Sequence, residues 1–126
     1  MESLYLDTHV VVWLFSGELE KLSNRAKELI ESSELFVSPM VVLELEFLYE
    51  IGRLTYRHDR ILSSLAESID LKVSDLSFAS IAKISTTLNW TRDPFDRIIV
   101  AHAQCSQKNL LSRDRKIHEH FDRAVW

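Results

Sequence analysis

The sequence predicts an α/β fold in which short parallel strands alternate with helices lying on both faces of a central sheet. Three observations carry this reading. Brief apolar runs alternate with segments of helical spacing, capping residues follow several of the runs directly, and no Gly-rich or Pro-rich linker interrupts the pattern. Strands joined through helices pair in parallel, and ligands of such sheets sit beyond the carboxyl ends of the strands.

The elements follow in order. Leu4-Tyr5-Leu6 is an apolar run that stops at Asp7-Thr8, a cap-like pair, before Val10-Val11-Val12-Trp13-Leu14-Phe15, which reads as a buried strand and then a helix. Ala26, Leu29 and Ile30 give helical spacing over 23–31, and Leu35-Phe36-Val37 is a second strand. Ser38 as N-cap and Pro39 at the first helical position open a helix that runs to about Ile51 and stops at Gly52. Residues 57–69 form the next helix, 71–73 a third strand, and 77–88 a further helix. Asp93-Pro94 opens a long helix through about Gln107; 110–112 is a fourth strand and 124–126 a terminal fifth.

With 126 residues, 46% hydrophobic and 27% charged, the chain suits one domain spanning 1–126 and is too apolar for disorder. The single Cys105 excludes an internal disulfide; within an apolar helical stretch it is expected to be a buried structural thiol, which fits a cytoplasmic protein. Asp7 and His9 break the first apolar run and no basic segment precedes it, so no signal peptide is expected, and no run is long enough to span a membrane. The net charge of −4 weighs weakly against nucleic-acid binding, but a bound divalent cation would offset part of it.

The carboxylates carry the chemistry. Asp7 directly follows a strand, at the sheet edge where a metal or phosphate is held, although capping the next helix explains it equally well. Glu44 is more informative, because its helical neighbours are Met40, Val41, Phe47, Leu48 and Ile51, an apolar face on which an ionised carboxylate needs a cation or a proton. Glu46 and Glu50 project from the opposite, polar face. Asp93 and Asp96 share one face at a helix N-terminus, where capping and the helix dipole account for both. Asp114 follows the fourth strand, where a lone Asp is usually a turn residue. Four remote regions thus send carboxylates to one end of the sheet, and oxygen ligands without a His or Cys cluster favour Mg²⁺ or Mn²⁺ over Zn²⁺. The histidines do not compete: His118 and His120 are two apart, His58 and His102 are isolated, and His9 is structural or lies near the substrate. The absence of a Gly-rich phosphate loop makes nucleotide-binding motifs of that kind unlike this chain.

Leu6-Asp7-Thr8-His9, Val41-Val42-Leu43-Glu44-Leu45 leading to Ile51-Gly52-Arg53-Leu54, Arg92-Asp93-Pro94-Phe95-Asp96-Arg97-Ile98, and Leu111-Ser112-Arg113-Asp114 together resemble the PIN-domain family in order and spacing across nearly the whole chain. Asp-Pro-Phe-Asp-Arg is the most specific of these segments, and within the family the chain looks most like VapC-type toxins of toxin–antitoxin pairs. The resemblance implies a three-layer α/β/α fold, Mg²⁺- or Mn²⁺-dependent RNA cleavage, homodimerisation, and an antitoxin that inserts a segment into the active-site groove. It places the acidic quartet on Asp7, Glu44, Asp96 and Asp114, with Asp93 as an additional acid, and matches Thr8 and Ser112 to positions that support the site through hydroxyl hydrogen bonds.

The mechanism expected on this basis is in-line hydrolysis leaving 5′-phosphate and 3′-hydroxyl ends. Asp7, Asp96 and Asp114 bind metal, directly or through water, and Glu44 holds or deprotonates the attacking water. Arg92, Arg97, Arg113 and Arg115 flank the acids as candidate contacts to the RNA backbone, with surface charge or local ion pairing as the alternative for each. Two rival functions stay open: a Mg²⁺-dependent phosphatase or phosphotransferase, which ordinarily needs a second Asp where this chain has His9, and a catalytically silent PIN-like binding protein.

Overall fold

The computed structural model describes all of residues 1–126. Five strands, β1 (Ser3–Leu6), β2 (Glu34–Val37), β3 (Lys72–Val73), β4 (Asn109–Leu111) and β5 (Ala124–Val125), form one sheet in the order β3-β2-β1-β4-β5 with every neighbouring pair parallel. Seven helices join or flank them: α1 (Thr8–Ser16), α2 (Asn24–Ser32), α3 (Pro39–Glu50), α4 (His58–Ile69), α5 (Phe78–Ser85), α6 (Pro94–Ser106) and α7 (Arg115–His120). The result is the expected three-layer α/β/α sandwich.

Strand order sets the position of the site. From β1 the chain moves outward through β2 to β3, then returns to β1's other side for β4 and β5. The direction of winding therefore reverses between β1 and β4, and the crevice at such a switch point opens at the carboxyl ends of the strands. Leu6 pairs with Leu111 in register, so Asp7 and Ser112 are neighbours immediately beyond the sheet. The Asp7 amide bonds to the Leu111 carbonyl at 3.0 Å and continues the ladder by one step.

The core is aliphatic. Leu4 and Leu6 of β1, Leu35 and Val37 of β2, and Leu110 and Leu111 of β4 pack with Val10, Val11, Val41, Leu45, Ile99 and Val100 from the helices. Strands buried in this way read as continuous apolar runs, which made them visible in the sequence. Tyr5 and His102 interrupt the pattern inside the core: their rings lie 5.1 Å apart, and the Tyr5 hydroxyl is shared between Ser74 at 2.8 Å and Ser106 at 3.0 Å.

Several boundaries differ from the sequence reading. The helix expected over 77–88 ends at Ser85, because the Thr86 and Thr87 hydroxyls donate to the Lys83 and Ile84 carbonyls and close turns there. β3 is reduced to two exposed residues at the sheet edge, and β4 ends before Ser112. A 3₁₀ turn over Leu19–Lys21 and the six-residue α7 are too short to show a hydrophobic period. Cys105 is half-exposed rather than buried, since α6 turns its Ile99–Ala103 stretch to the core and Gln104 to solvent.

The α3 face around Glu44 also needs correction. Val41 and Leu45 enter the core, but Phe47 and Ile51 are exposed, so Glu44 stands at the border between the core and an open apolar flank. Leu45→Ala should lower the unfolding free energy by about 2–5 kcal/mol in urea denaturation, whereas Glu50→Ala, on the outer face of the same helix, should change it by less than about 0.5 kcal/mol.

Candidate active site

Five acids from four segments line one cleft of about 650 Å³ at the switch point: Asp7, Glu44, Asp93, Asp96 and Asp114. Each is placed by a local rule. Asp7 is only 4% exposed, its Oδ1 accepting the Thr8 amide at 2.8 Å and its Oδ2 the Ser112 hydroxyl at 2.7 Å. Asp93 caps α6, its Oδ1 accepting the amides of Phe95 at 2.8 Å and Asp96 at 3.4 Å. Asp114 caps α7 in the same manner through Lys116 at 2.8 Å and Ile117 at 3.1 Å. The capping explanation therefore holds for three of the acids without removing them from the cleft. Asp93 and Asp114 each commit one oxygen to a helix and leave the other without a protein partner.

Glu44 and Asp96 are the acids with no such explanation. Glu44 accepts one hydrogen bond, from the Thr8 hydroxyl at 2.5 Å, and the Asp96 carboxylate accepts none. Burial pushes the Glu44 carboxyl up to about 7; the Thr8 bond opposes that rise, and the charges of Asp7 and Asp93 add to it. Asp96 is likewise raised to about 7, first by burial and then by repulsion from Asp7, Asp93, Asp114 and Glu44.

Thr8 and Ser112 each donate a hydroxyl hydrogen bond to one of the five acids. Thr8 ties α1 to α3 through Glu44, and Ser112 ties β4 to Asp7 while accepting the Asp114 amide at 3.0 Å. His9 is both structural and cleft-lining: its Nε2 accepts the Arg113 amide at 2.8 Å. The four flanking arginines are placed differently from the acids. Arg92, Arg97, Arg113 and Arg115 do not line the cleft; Arg97 donates its Nε to the Thr91 carbonyl at 2.7 Å, a bond that fixes the loop before α6, and Arg115 pairs with Glu119 at 3.2 Å. The cations that do line it are Lys21 and Arg53, which sequence reasoning did not single out as site residues because they lie on a 3₁₀ turn and a loop, well separated in sequence from the five cleft acids.

No Lys or Arg lies within ion-pair distance of any of the five acids; the nearest basic group is His9, 3.7 Å from Asp7. Five oxygen-donor groups facing one cleft, with Lys21 and Arg53 on its lining but not in ion-pair contact with any of them, fit a hard divalent cation. No three of them stand at metal-ligand spacing in this structure.

Fold and site together define a PIN-domain protein. A sequence model of the PIN domain matches residues 4–123, and the chain belongs to that family. It is 32% identical over 123 residues to Ribonuclease VapC22 of Mycobacterium tuberculosis, covering 95% of this chain and 93% of that one. The fold also matches VapBC2 from Rickettsia felis bound to a promoter DNA fragment (TM-score 0.71, 17% identity, 98% of this chain and 97% of that one). A toxin–antitoxin complex from Klebsiella pneumoniae matches at TM-score 0.67 and 21% identity, over 98% and 96% of the two chains.

Raised carboxyl pKa values have a direct consequence for stability. Asp96 and Glu44 hold protons more tightly in the folded chain than in the unfolded one, from the ordinary values of 3.8 and 4.5 up to about 7. The folded state therefore carries more protons within that window, and stability is lost as pH rises through it. In chelator, Asp96→Asn should melt at a higher temperature than the wild type at pH 7.5, and the difference should vanish by about pH 4. Equal melting temperatures at pH 7.5 would contradict the electrostatic account.

Proposed function

We propose that this chain is a divalent-metal-dependent endoribonuclease, the toxin of a VapBC-type pair, that acts in the cytoplasm and is restrained by a cognate antitoxin. The observation that carries the reading is the cluster of five carboxylates, none in an ion pair with Lys or Arg, at the switch point of the sheet. The ribonuclease activity of the 32% identical relative supports RNA as the substrate, and the toxin–antitoxin complexes that share the fold support an antitoxin partner.

In this reading Asp7, Asp96 and Asp114 would hold Mg²⁺ or Mn²⁺, with Asp93 beside them. An ion held there would supply Lewis acidity at phosphoryl oxygens and acidify a water. The protein's own groups do the rest. Ser112 and the Thr8 amide hold both oxygens of Asp7 in fixed directions, so this ligand is positioned before any ion arrives. The Thr8 hydroxyl holds Glu44 by Oε1 and leaves Oε2 to orient a water and accept its proton. Lys21 and Arg53 line the same cleft and can meet the phosphates on either side of the scissile bond.

The reading also includes a homodimer. An uncharged groove between α3, α5 and α6, walled by Leu43, Leu76 and Phe78, leaves these side chains 56%, 41% and 64% exposed and supports self-association there.

Purified protein given labelled RNA with Mg²⁺ or Mn²⁺ should cleave it and stop on chelation. Asp7→Asn and Glu44→Gln should each reduce the rate by roughly 10²-fold or more while keeping a cooperative thermal transition. Wild-type rates in both variants would overturn the assignment.

A further inference from the structure

The cleft has a second wall, made of aromatic rings. His9 and Trp13 are four residues apart on α1, so they share one helix face, and both line the cleft with the acids. Their ring centroids are 4.9 Å apart. Trp126, at the chain's last residue, stands edge-on to both, 6.1 Å from Trp13 and 6.4 Å from His9. The His9 ring is itself pinned by the Arg113 amide, so the cluster is held from α1, from beyond β4 and from beyond β5. Trp13 remains only half-buried.

Two cations attend this ring. Lys21 Nζ lies 5.5 Å and the Arg113 guanidinium carbon 5.9 Å from the Trp13 centroid, near the outer limit of a cation–π contact. Both side chains are exposed; Arg113 makes no ion pair, and Lys21 has only the surface residue Glu18 as a partner. Contacts so loose are readily exchanged for phosphate. An aromatic face with flanking cations suits an unpaired nucleobase and its backbone, because stacking needs a free base face, which a duplex withholds and a single strand offers.

We propose that Trp13, braced by Trp126 and His9, is the platform on which an unpaired base next to the scissile phosphate stacks, with Lys21 and Arg113 taking neighbouring phosphates. The proposal rests on the ribonuclease reading and specifies how that site selects its RNA.

The test uses the full chain in the slowed Glu44→Gln background with Mn²⁺, so that binding is read apart from turnover. The probes are an unstructured RNA oligomer carrying 2-aminopurine, whose fluorescence is quenched by stacking, and a blunt duplex of the same length. Trp13→Phe keeps a ring; Trp13→Leu keeps apolar bulk without one. Single-strand affinity should fall roughly ten- to hundredfold in Trp13→Leu with loss of the quench, and largely recover in Trp13→Phe, while duplex binding is weak in all three proteins. Unchanged affinity and quench in Trp13→Leu, duplex binding as tight as single-strand binding, or no RNA binding at all would overturn the proposal. Failure of the ribonuclease reading is distinguished separately, by wild-type protein that cuts no RNA with Mg²⁺ or Mn²⁺.

Discussion

Asp7 sits where β1, α1 and β4 meet, and its two carboxylate oxygens bind two of these elements at once. Oδ1 takes the first amide of α1 and Oδ2 takes the Ser112 hydroxyl beyond β4. The same Ser112 oxygen receives the amide of Asp114, and Thr8, the residue after Asp7, donates its hydroxyl to Glu44 on α3. One buried acid therefore organises a relay that sets the positions of two others. The parallel register of Leu6 with Leu111 makes this possible, since it delivers Asp7 and Ser112 side by side at the point where the sheet's winding reverses.

That relay holds like charges together without neutralising them. Four of the acids have hydrogen bonds or a helix cap and Asp96 has neither, none has a Lys or Arg ion-pair partner, and the two least supported, Glu44 and Asp96, hold protons up to about pH 7. The aliphatic core formed by β1, β2, β4 and the helices provides the stability against which this repulsion is tolerated. Proteins commonly concentrate such unfavourable electrostatics where a ligand will relieve them. The aromatic wall of His9, Trp13 and Trp126 completes the cleft on another side, so charge and stacking surface face the same space.

Much of this was legible in the sequence because it follows local rules. Ser38-Pro39 and Asp93-Pro94 announced α3 and α6, and the unbroken apolar runs announced β1, β2 and β4. Glu44 stood out against its apolar neighbours, although the structure places it at the border of the core rather than within an apolar face. What escaped was set by tertiary approach alone. Lys21 and Arg53 reach the cleft from a 3₁₀ turn and a loop, whereas Arg97, adjacent to an acid in sequence, turns away to the Thr91 carbonyl. Nearness in sequence did not bring Arg97 into the cleft beside Asp96, because adjacent residues of a helix point about 100° apart around its axis.

The central claim is that the carboxylate cluster is a divalent-cation site. Binding of Mn²⁺ to the metal-free protein, followed by loss of the free-ion electron paramagnetic resonance signal, tests this most directly. The account predicts saturable binding at neutral pH that is strongly weakened in an Asp7→Asn, Asp96→Asn double variant that still folds. An undiminished free-Mn²⁺ signal at millimolar protein, or equal binding by the double variant, would contradict it.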